Sequence, residues 1–374
     1  MSARRETLRI LIFSASFGGG HRSAAEALMR YLKDHHAESV EVRVVDFFEE
    51  FMPGVNALAK FAYQQSVAFF PDLYGTFFDV SNTVPTNPVV HELRVMGFAR
   101  ASAYMSKYRP DAVISTFPVA GGVVADLKQE HRSVAATVIT DYGVHRTWLH
   151  PATDVYFVAS PEVRETLVSR GLEWDRVMVS GIPVHEKFSQ PLTRSECRAG
   201  MGLGEEFTVL LTSAAGLTGD VRDIAASLSA HGLQVAAVTG HNARLRRRLE
   251  TLARKAPNVH VYGFTPDMHK LMRAADVLVG KAGGLTVSEA LAVGLPLVIY
   301  NPVPGQEIFN VDYLVNSGAG LHSRDEDDVV DKVRFLHTHP ARLGQMADNA
   351  SAIGRPGAAR TVCEQVLSAI RSEG

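Results

Sequence analysis

Three short stretches carry the residue types that could do chemistry. The first is Ser14-Ala15-Ser16-Phe17-Gly18-Gly19-Gly20-His21. Its glycines allow a tight turn and a close approach of another molecule to the backbone, which makes Gly19 and Gly20 candidate binding positions. An imidazole placed there can take up a proton near neutral pH, so His21 is a candidate base, with helix capping or packing as the alternative reading. An ordinary imidazole is half neutral near pH about 6.5, so a rate governed by it is expected to fall below that value. The second stretch is Gly280-Lys281-Ala282-Gly283-Gly284-Leu285-Thr286-Val287-Ser288-Glu289. A glycine pair followed by a helix start presents free N–H groups that suit a diphosphate, and Thr286 adds a hydroxyl. Glu289 stands three residues after Thr286, which fits either a capping box or a carboxylate that accepts bonds from ribose hydroxyls. The third is Asn301-Pro302-Val303-Pro304-Gly305-Gln306-Glu307-Ile308-Phe309-Asn310. Gln306, Glu307 and Asn310 offer amides and a carboxylate of the kind that hold sugar hydroxyls, or that cap a helix.

Each stretch needs an element to hold it. Leu8–Phe13 reads as a strand, and Ala25, Leu28, Met29 and Leu32 line one face of a helix over Arg22–His35. Val40–Val45, Asp111–Ser115, Val134–Ile139, Asp154–Val158 and Arg176–Val179 continue a βαβ rhythm. The rhythm restarts with Phe207–Thr212, Leu233–Val238, Asn258–Tyr262, Asp276–Val279 and Pro296–Tyr300, separated by helical stretches at Asn242–Lys255 and Thr286–Val293. Gly181–Pro191 reads as the hinge. The expected architecture is α/β, with Rossmann-like domains over 1–185 and 186–374 facing a central cleft, and a last helix able to pack back on the first.

Composition narrows the function. Of 374 residues, 38 are Lys or Arg and 40 are Asp or Glu, which argues against a nucleic-acid binder. The two cysteines form no framework and no metal-ligand spacing. The acidic run Asp325–Asp328 precedes an apolar stretch and reads as a helix start rather than a metal site. No G-x-x-x-x-G-K-[ST] stretch is present, and the consecutive glycines near His21 depart from the G-x-G-x-x-G of dinucleotide folds. Nothing reads as a signal peptide or a membrane-spanning run. Phe47–Phe78 is rich in aromatics and fits either a core-covering helix or a surface for lipid. The arginines of Arg244–Lys255 fit a solvated helix face or an attraction to anionic lipid or nucleotide phosphates.

Taken together and in order, G-G-G-H, K-x-G-G-L-T-x-S-E-A-L and N-P-x-P-G-Q-E-x-x-N resemble the diacylglycerol glycosyltransferases of glycosyltransferase family 28. Thr140-Asp141-Tyr142-Gly143-Val144-His145-Arg146-Thr147-Trp148 is similar to the family's T-D-x-x-x-H-x-x-W segment. Val238–Leu245 is similar to its C-G-x-N-x-x-L segment, with Thr239 in place of Cys. Two departures stand out: Ser213–Gly219 is poorer in glycine than the usual loop, and Ala282 replaces a common Pro.

The resemblance implies a GT-B fold, with an acceptor-binding first domain and a UDP-sugar-binding second. It implies an inverting transfer of glucose or galactose from a UDP-sugar to a diacylglycerol-type lipid, with no obligatory metal and no further cofactor. His21 is then the first choice of base, and Asp141 or His145 the alternative or supporting groups. Gly263 and Phe264 would contact the uracil. Gly283, Gly284, Leu285 and Thr286 would hold the diphosphate, with Gly216 and Asn242 nearby. Glu289 would hold the ribose, and Gln306 and Glu307 the sugar. The implied partners are the UDP-sugar, the lipid and the cytoplasmic face of a membrane, where the protein would be peripheral. Rival readings are a UDP-sugar transferase to a polyprenyl-linked or small acceptor, a UDP-sugar 2-epimerase, and a UDP-sugar sensor without catalysis.

Overall fold

The computed structural model describes residues 7–16, 19–55, 82, 88–128, 130–212 and 220–373. The chain divides into two compact units. One holds the first six strands and Arg355 onward, and the other holds Lys187–Gly354.

In the first unit, β1 (Leu8–Ser14), β2 (Val40–Asp46), β3 (Ala112–Ser115), β4 (Val134–Val138), β5 (Val155–Val158) and β6 (Val177–Val179) form a parallel sheet in the order β2-β1-β3-β4-β5-β6. The chain runs from β1 outward to β2 and then crosses back past β1 to reach β3. The crevice between β1 and β3 is therefore a switch point, where open α/β sheets bind ligands beyond their carboxyl ends.

Side-chain alternation along β1 builds two cores, because successive residues point to opposite faces. Ile10 and Ile12 pack with Leu28 and Leu32 of α1 (Gly20–His35) and with Val362, Val366 and Leu367 of the closing helix. Leu11 and Phe13 pack on the other face with α2 (Phe47–Phe51), α3 (Pro88–Tyr108) and α4 (Pro118–Leu127). Phe47, Phe48 and Phe51 are buried there, so the aromatic segment begins as core; its residues 56–78 lie outside the described residues. After β5, α5 (Pro161–Ser169) completes the layer.

The second unit opens with α6 (Arg194–Met201), whose capping box joins Thr193 and Glu196. Arg198 of α6 is buried and donates to the Asp276 carboxylate at 2.9 Å, while the Thr208 N–H donates to the same oxygen at 2.8 Å. That pairing fixes α6 at the start of the sheet. The strands are β7 (Thr208–Thr212), β8 (Gln234–Val238), β9 (Val259–Tyr262), β10 (Val277–Gly280), β11 (Leu297–Tyr300) and β12 (Gly320–Ser323), all parallel, in the order β12-β11-β10-β7-β8-β9. Here the switch point lies between β7 and β10. Its helices are α7 (Asp220–Ala230), α8 (Ala243–Ala253), α9 (Met268–Ala274), α10 (Gly284–Ala292), α11 (Ile308–Asn316), α12 (Glu326–Thr338) and α13 (Pro340–Ile353). Asp325 caps α12, its carboxylate accepting from the Asp328 N–H at 2.8 Å, so the acidic run is a helix start. The chain ends in α14 (Ala358–Glu373). Edge strand β12 lies beyond the strands expected from the sequence, because Gly320-Leu321-His322-Ser323 carries one large apolar residue and pairs on one side only.

Candidate functional site

His21 lies in the first turn of α1, just past the carboxyl end of β1. Gly19 is the residue before the helix and has φ −85°, an ordinary conformation for any residue. What glycine provides there is room, since a Cβ on Gly19 would meet nothing within 4 Å. Gly20 opens α1, and Gly18 lies outside the described residues.

Two loops from neighbouring strands hold His21. Thr116, after β3, donates its hydroxyl to the His21 carbonyl at 3.0 Å. Thr140, after β4, places its Oγ1 2.8 Å from His21 Nδ1. Phe117 meets the imidazole edge-on at 5.0 Å, and Trp148 lies 6.2 Å away. These surroundings withdraw the ring from water. Burial lowers its pKa to about 4, with a hydrogen bond to the Thr116 backbone opposing the shift. Burial therefore moves the limb expected near pH 6.5 down toward 4 and favours the neutral imidazole at physiological pH.

Asp141 follows Thr140 directly and is 8% exposed. Both expected carboxylate and imidazole therefore stand at the same crevice. His145 is placed differently. It caps the short turn Arg146–Trp148, its Nδ1 accepting from the Thr147 N–H at 3.2 Å. That bond leaves the proton of a neutral His145 on Nε2, which suits a donor and not a base.

At the second switch point, β10 ends at Gly280 and α10 begins at Gly284. The residue before α10 is Gly283, and the first intrahelical bond runs from the Val287 N–H to the Gly283 carbonyl at 2.9 Å. The N–H groups of Gly284, Leu285 and Thr286 precede that bond, as orphan donors of a helix start do. Thr286 stands inside the helix rather than before it, so the capping box between Thr286 and Glu289 does not form. Glu289 makes no hydrogen bond or ion pair among the described residues, and burial pushes its carboxyl pKa up to about 8. Burial thus favours the protonated carboxyl near neutral pH, against the charged form expected of a ribose acceptor.

The loop after β11 turns through Asn301, at φ 49°, and Gly305, at φ 79°. Asparagine is among the few side chains that adopt this left-handed region with ease. Glu307 ends the loop and faces the glycine turn: its Oε1 would lie 3.6 Å from a Cβ on Gly283. Its Oε2 accepts from the Val303 N–H at 2.7 Å. Burial raises the Glu307 pKa, opposed by that bond and by Lys281. Gln306 precedes it in the same loop. Asn310 is fully buried, with its amide donating to the Ala282 carbonyl at 2.7 Å, so it ties α11 to the glycine turn and is not a free amide for a sugar.

Lys281 stands in the same glycine-rich stretch, two residues before Gly283. It is half-buried before the glycine pair, where burial lowers its pKa and Glu307 partly restores it. A lysine directly before a glycine turn that opens a helix was the available signal. Across the sheet, Phe264 is 69% exposed and stacks on His241 at 4.6 Å and 13°. Gly263 abuts Arg246, and Asn242 spends its side-chain oxygen on capping α8 through the Leu245 N–H at 3.0 Å. Gly216 lies outside the described residues. Among those residues, no group of three or more His, Cys, Asp or Glu is arranged to hold a metal, and no helix is long and apolar enough to cross a membrane.

The sequence profile of Monogalactosyldiacylglycerol (MGDG) synthase matches residues 21–184, and that of the Glycosyltransferase family 28 C-terminal domain matches residues 212–362. The processive diacylglycerol beta-glucosyltransferase of Bacillus cytotoxicus is 30% identical over 366 residues, which cover 96% of this chain and 93% of the relative. The crystal structure of Acinetobacter baumannii MurG is similar with a TM-score of 0.63 at 16% identity, over 96% of this chain and 99% of that one. Anabaena HepE in complex with UDP-glucose is similar with a TM-score of 0.55 at 17% identity, over 98% of this chain and 100% of that one. The resemblance read from the motifs is borne out, and the two parallel-sheet units are those of a GT-B protein.

Proposed function

We propose that this chain, which belongs to the diacylglycerol glycosyltransferase family of the processive glucosyltransferases and monogalactosyldiacylglycerol synthases, moves a hexose from a UDP-sugar to a diacylglycerol-type lipid. The observation that carries the reading is the alignment with a diacylglycerol glucosyltransferase over 96% of the chain. That relative's name favours glucose as the hexose over galactose. Both family profiles belong to glycosyltransferases, which does not favour the epimerase and sensor readings.

In this reading the acceptor's hydroxyl oxygen bonds to C1 of the sugar, and the bond from C1 to the diphosphate oxygen breaks. UDP leaves with that electron pair, and the anomeric centre inverts. His21 takes the hydroxyl proton, with Asp141 as the alternative. His145 supports the loop that carries Asp141. The N–H groups that open α10, the Thr286 hydroxyl and the Lys281 ammonium meet the negative charge that grows on UDP, a role that needs no metal. Glu289 holds the ribose, Gln306 and Glu307 the hexose, and Gly263 with Phe264 the uracil. The lipid acceptor places the work at a membrane surface, peripherally and on the cytoplasmic face where UDP-sugars are supplied.

The test is direct. Purified protein is given UDP-glucose or UDP-galactose with vesicles containing diacylglycerol, and products are read by mass spectrometry. Hexosyl-diacylglycerol with matching UDP release is expected. Absence of both with either donor overturns the reading, and UDP release with product on another acceptor moves it to that acceptor.

A further inference from the structure

A histidine acting as a base through Nε2 must carry its own proton on Nδ1, and that proton needs an acceptor. Among the described residues one side-chain oxygen lies at hydrogen-bond distance from the His21 ring: Thr140 Oγ1, 2.8 Å from Nδ1. Thr140 is 4% exposed, so water does not compete with it. Its β-branched side chain is stiff at χ1 and holds the hydroxyl in place. The ring's other polar partner is the Thr116 backbone, a hydrogen bond to which favours the protonated imidazole, while Phe117 stands edge-on at 89° and the Thr116 hydroxyl holds the His21 carbonyl.

We propose that Thr140 is the positioning residue for His21, its hydroxyl accepting the Nδ1–H so that the Nε2 lone pair is left for the lipid's hydroxyl. This rests on the reading of His21 as the base. A carboxylate in this position would hold the ring and also raise its basicity. A threonine hydroxyl orients the ring and fixes its tautomer while adding no charge. The opposite tautomer, with Thr140 donating to Nδ1, would put the proton on Nε2 and remove the lone pair.

Thr140→Val keeps the shape and deletes the hydroxyl. It should lower kcat about tenfold to a hundredfold, part of the 10²–10⁴ that general-base help supplies, with KM for the UDP-sugar little changed. Thr140→Ser should restore most of the rate. In the His21→Ala background, Thr140→Val should add no further loss, because it acts through the imidazole. Nitrogen NMR of the labelled wild-type protein should find His21 protonated on Nδ1, a readout that needs no variant to fold. Near-normal kcat in Thr140→Val, a multiplied loss in the double variant, or a proton on Nε2 in the wild type would overturn the role of Thr140 alone. Normal turnover in His21→Ala would instead overturn the base on which the role rests.

Discussion

The two units end their sheets in crevices of the same topology and treat charge in opposite ways. In the first, burial drives an imidazole down to about 4. In the second, burial drives the Glu289 carboxyl up to about 8. The shifts differ in sign, yet both groups stand uncharged near pH 7. Desolvation penalises whichever form carries the charge, so a base and an acid respond in mirror image. The first crevice thereby gains a lone pair available over a wide pH range, at the cost of basicity. The second keeps a carboxyl that hydrogen bonds from a ligand's hydroxyls would return toward its charged form.

The largest expected effect tests the first crevice. His21→Ala should reduce turnover by about 10²–10⁴ while UDP-sugar affinity holds, measured by steady-state kinetics and calorimetry. Near-normal turnover, with collapse in Asp141→Asn, would transfer the proton to Asp141. The counterpart in the second crevice is Glu289→Ala. It should weaken UDP binding by about 1.5–3 kcal/mol, the range for hydrogen bonds to a charged group, and calorimetry with no change for UDP would end that assignment.

The pH dependence separates the crevices further. The wild-type rate should hold down to about pH 5 and fall only as His21 charges near 4, so a limb at 6.5 would refute the burial argument. Stability should move in opposite directions. The unfolded chain protonates His21 from 6.5 downward and the folded one from about 4, so this group weakens the fold as pH falls between those values. Glu289 ionises from 4.5 upward when unfolded and from about 8 when folded, so it weakens the fold as pH rises between them. Glu289→Gln should therefore raise Tm at pH 8 and leave it unchanged at pH 4, read by thermal unfolding. The smallest effect concerns Phe264. Phe264→Ala should weaken UDP by about 0.5–1.5 kcal/mol, the worth of one aromatic pair, here between its ring and the uracil. An unchanged affinity would leave the stack outside the uracil site.

Strands were legible because buried parallel strands are short apolar runs, and eleven such runs were read where β1 to β11 stand. β12 escaped because an edge strand can be built from Gly320-Leu321-His322-Ser323 without such a run. The glycine turn and His21 were legible because their types and spacing are local. The state of charge was not, since it depends on what packs around a group from distant strands. Thr140 stands 119 positions from His21, and only the sheet order brings them together. Asn310 misled for the same reason: an amide in a polar loop looks available until the Ala282 carbonyl is folded against it.

The closing helix α14 splits the first unit along the chain. Val362, Cys363, Val366 and Leu367 fill the core around Ile10, Ile12 and Leu28, and the Tyr31 hydroxyl donates to Glu364 at 2.8 Å across 333 positions. On the ribosome the first unit thus begins before the second and is completed after it. Until Ala358–Glu373 emerges, one face of β1 and α1 stays uncovered, while Lys187–Gly354 already holds all of its strands. Synthesis in progress therefore leaves the half that carries His21 open and adhesive for longest. A chain stopped at Gly354 should keep a cooperative second unit and aggregate through the first.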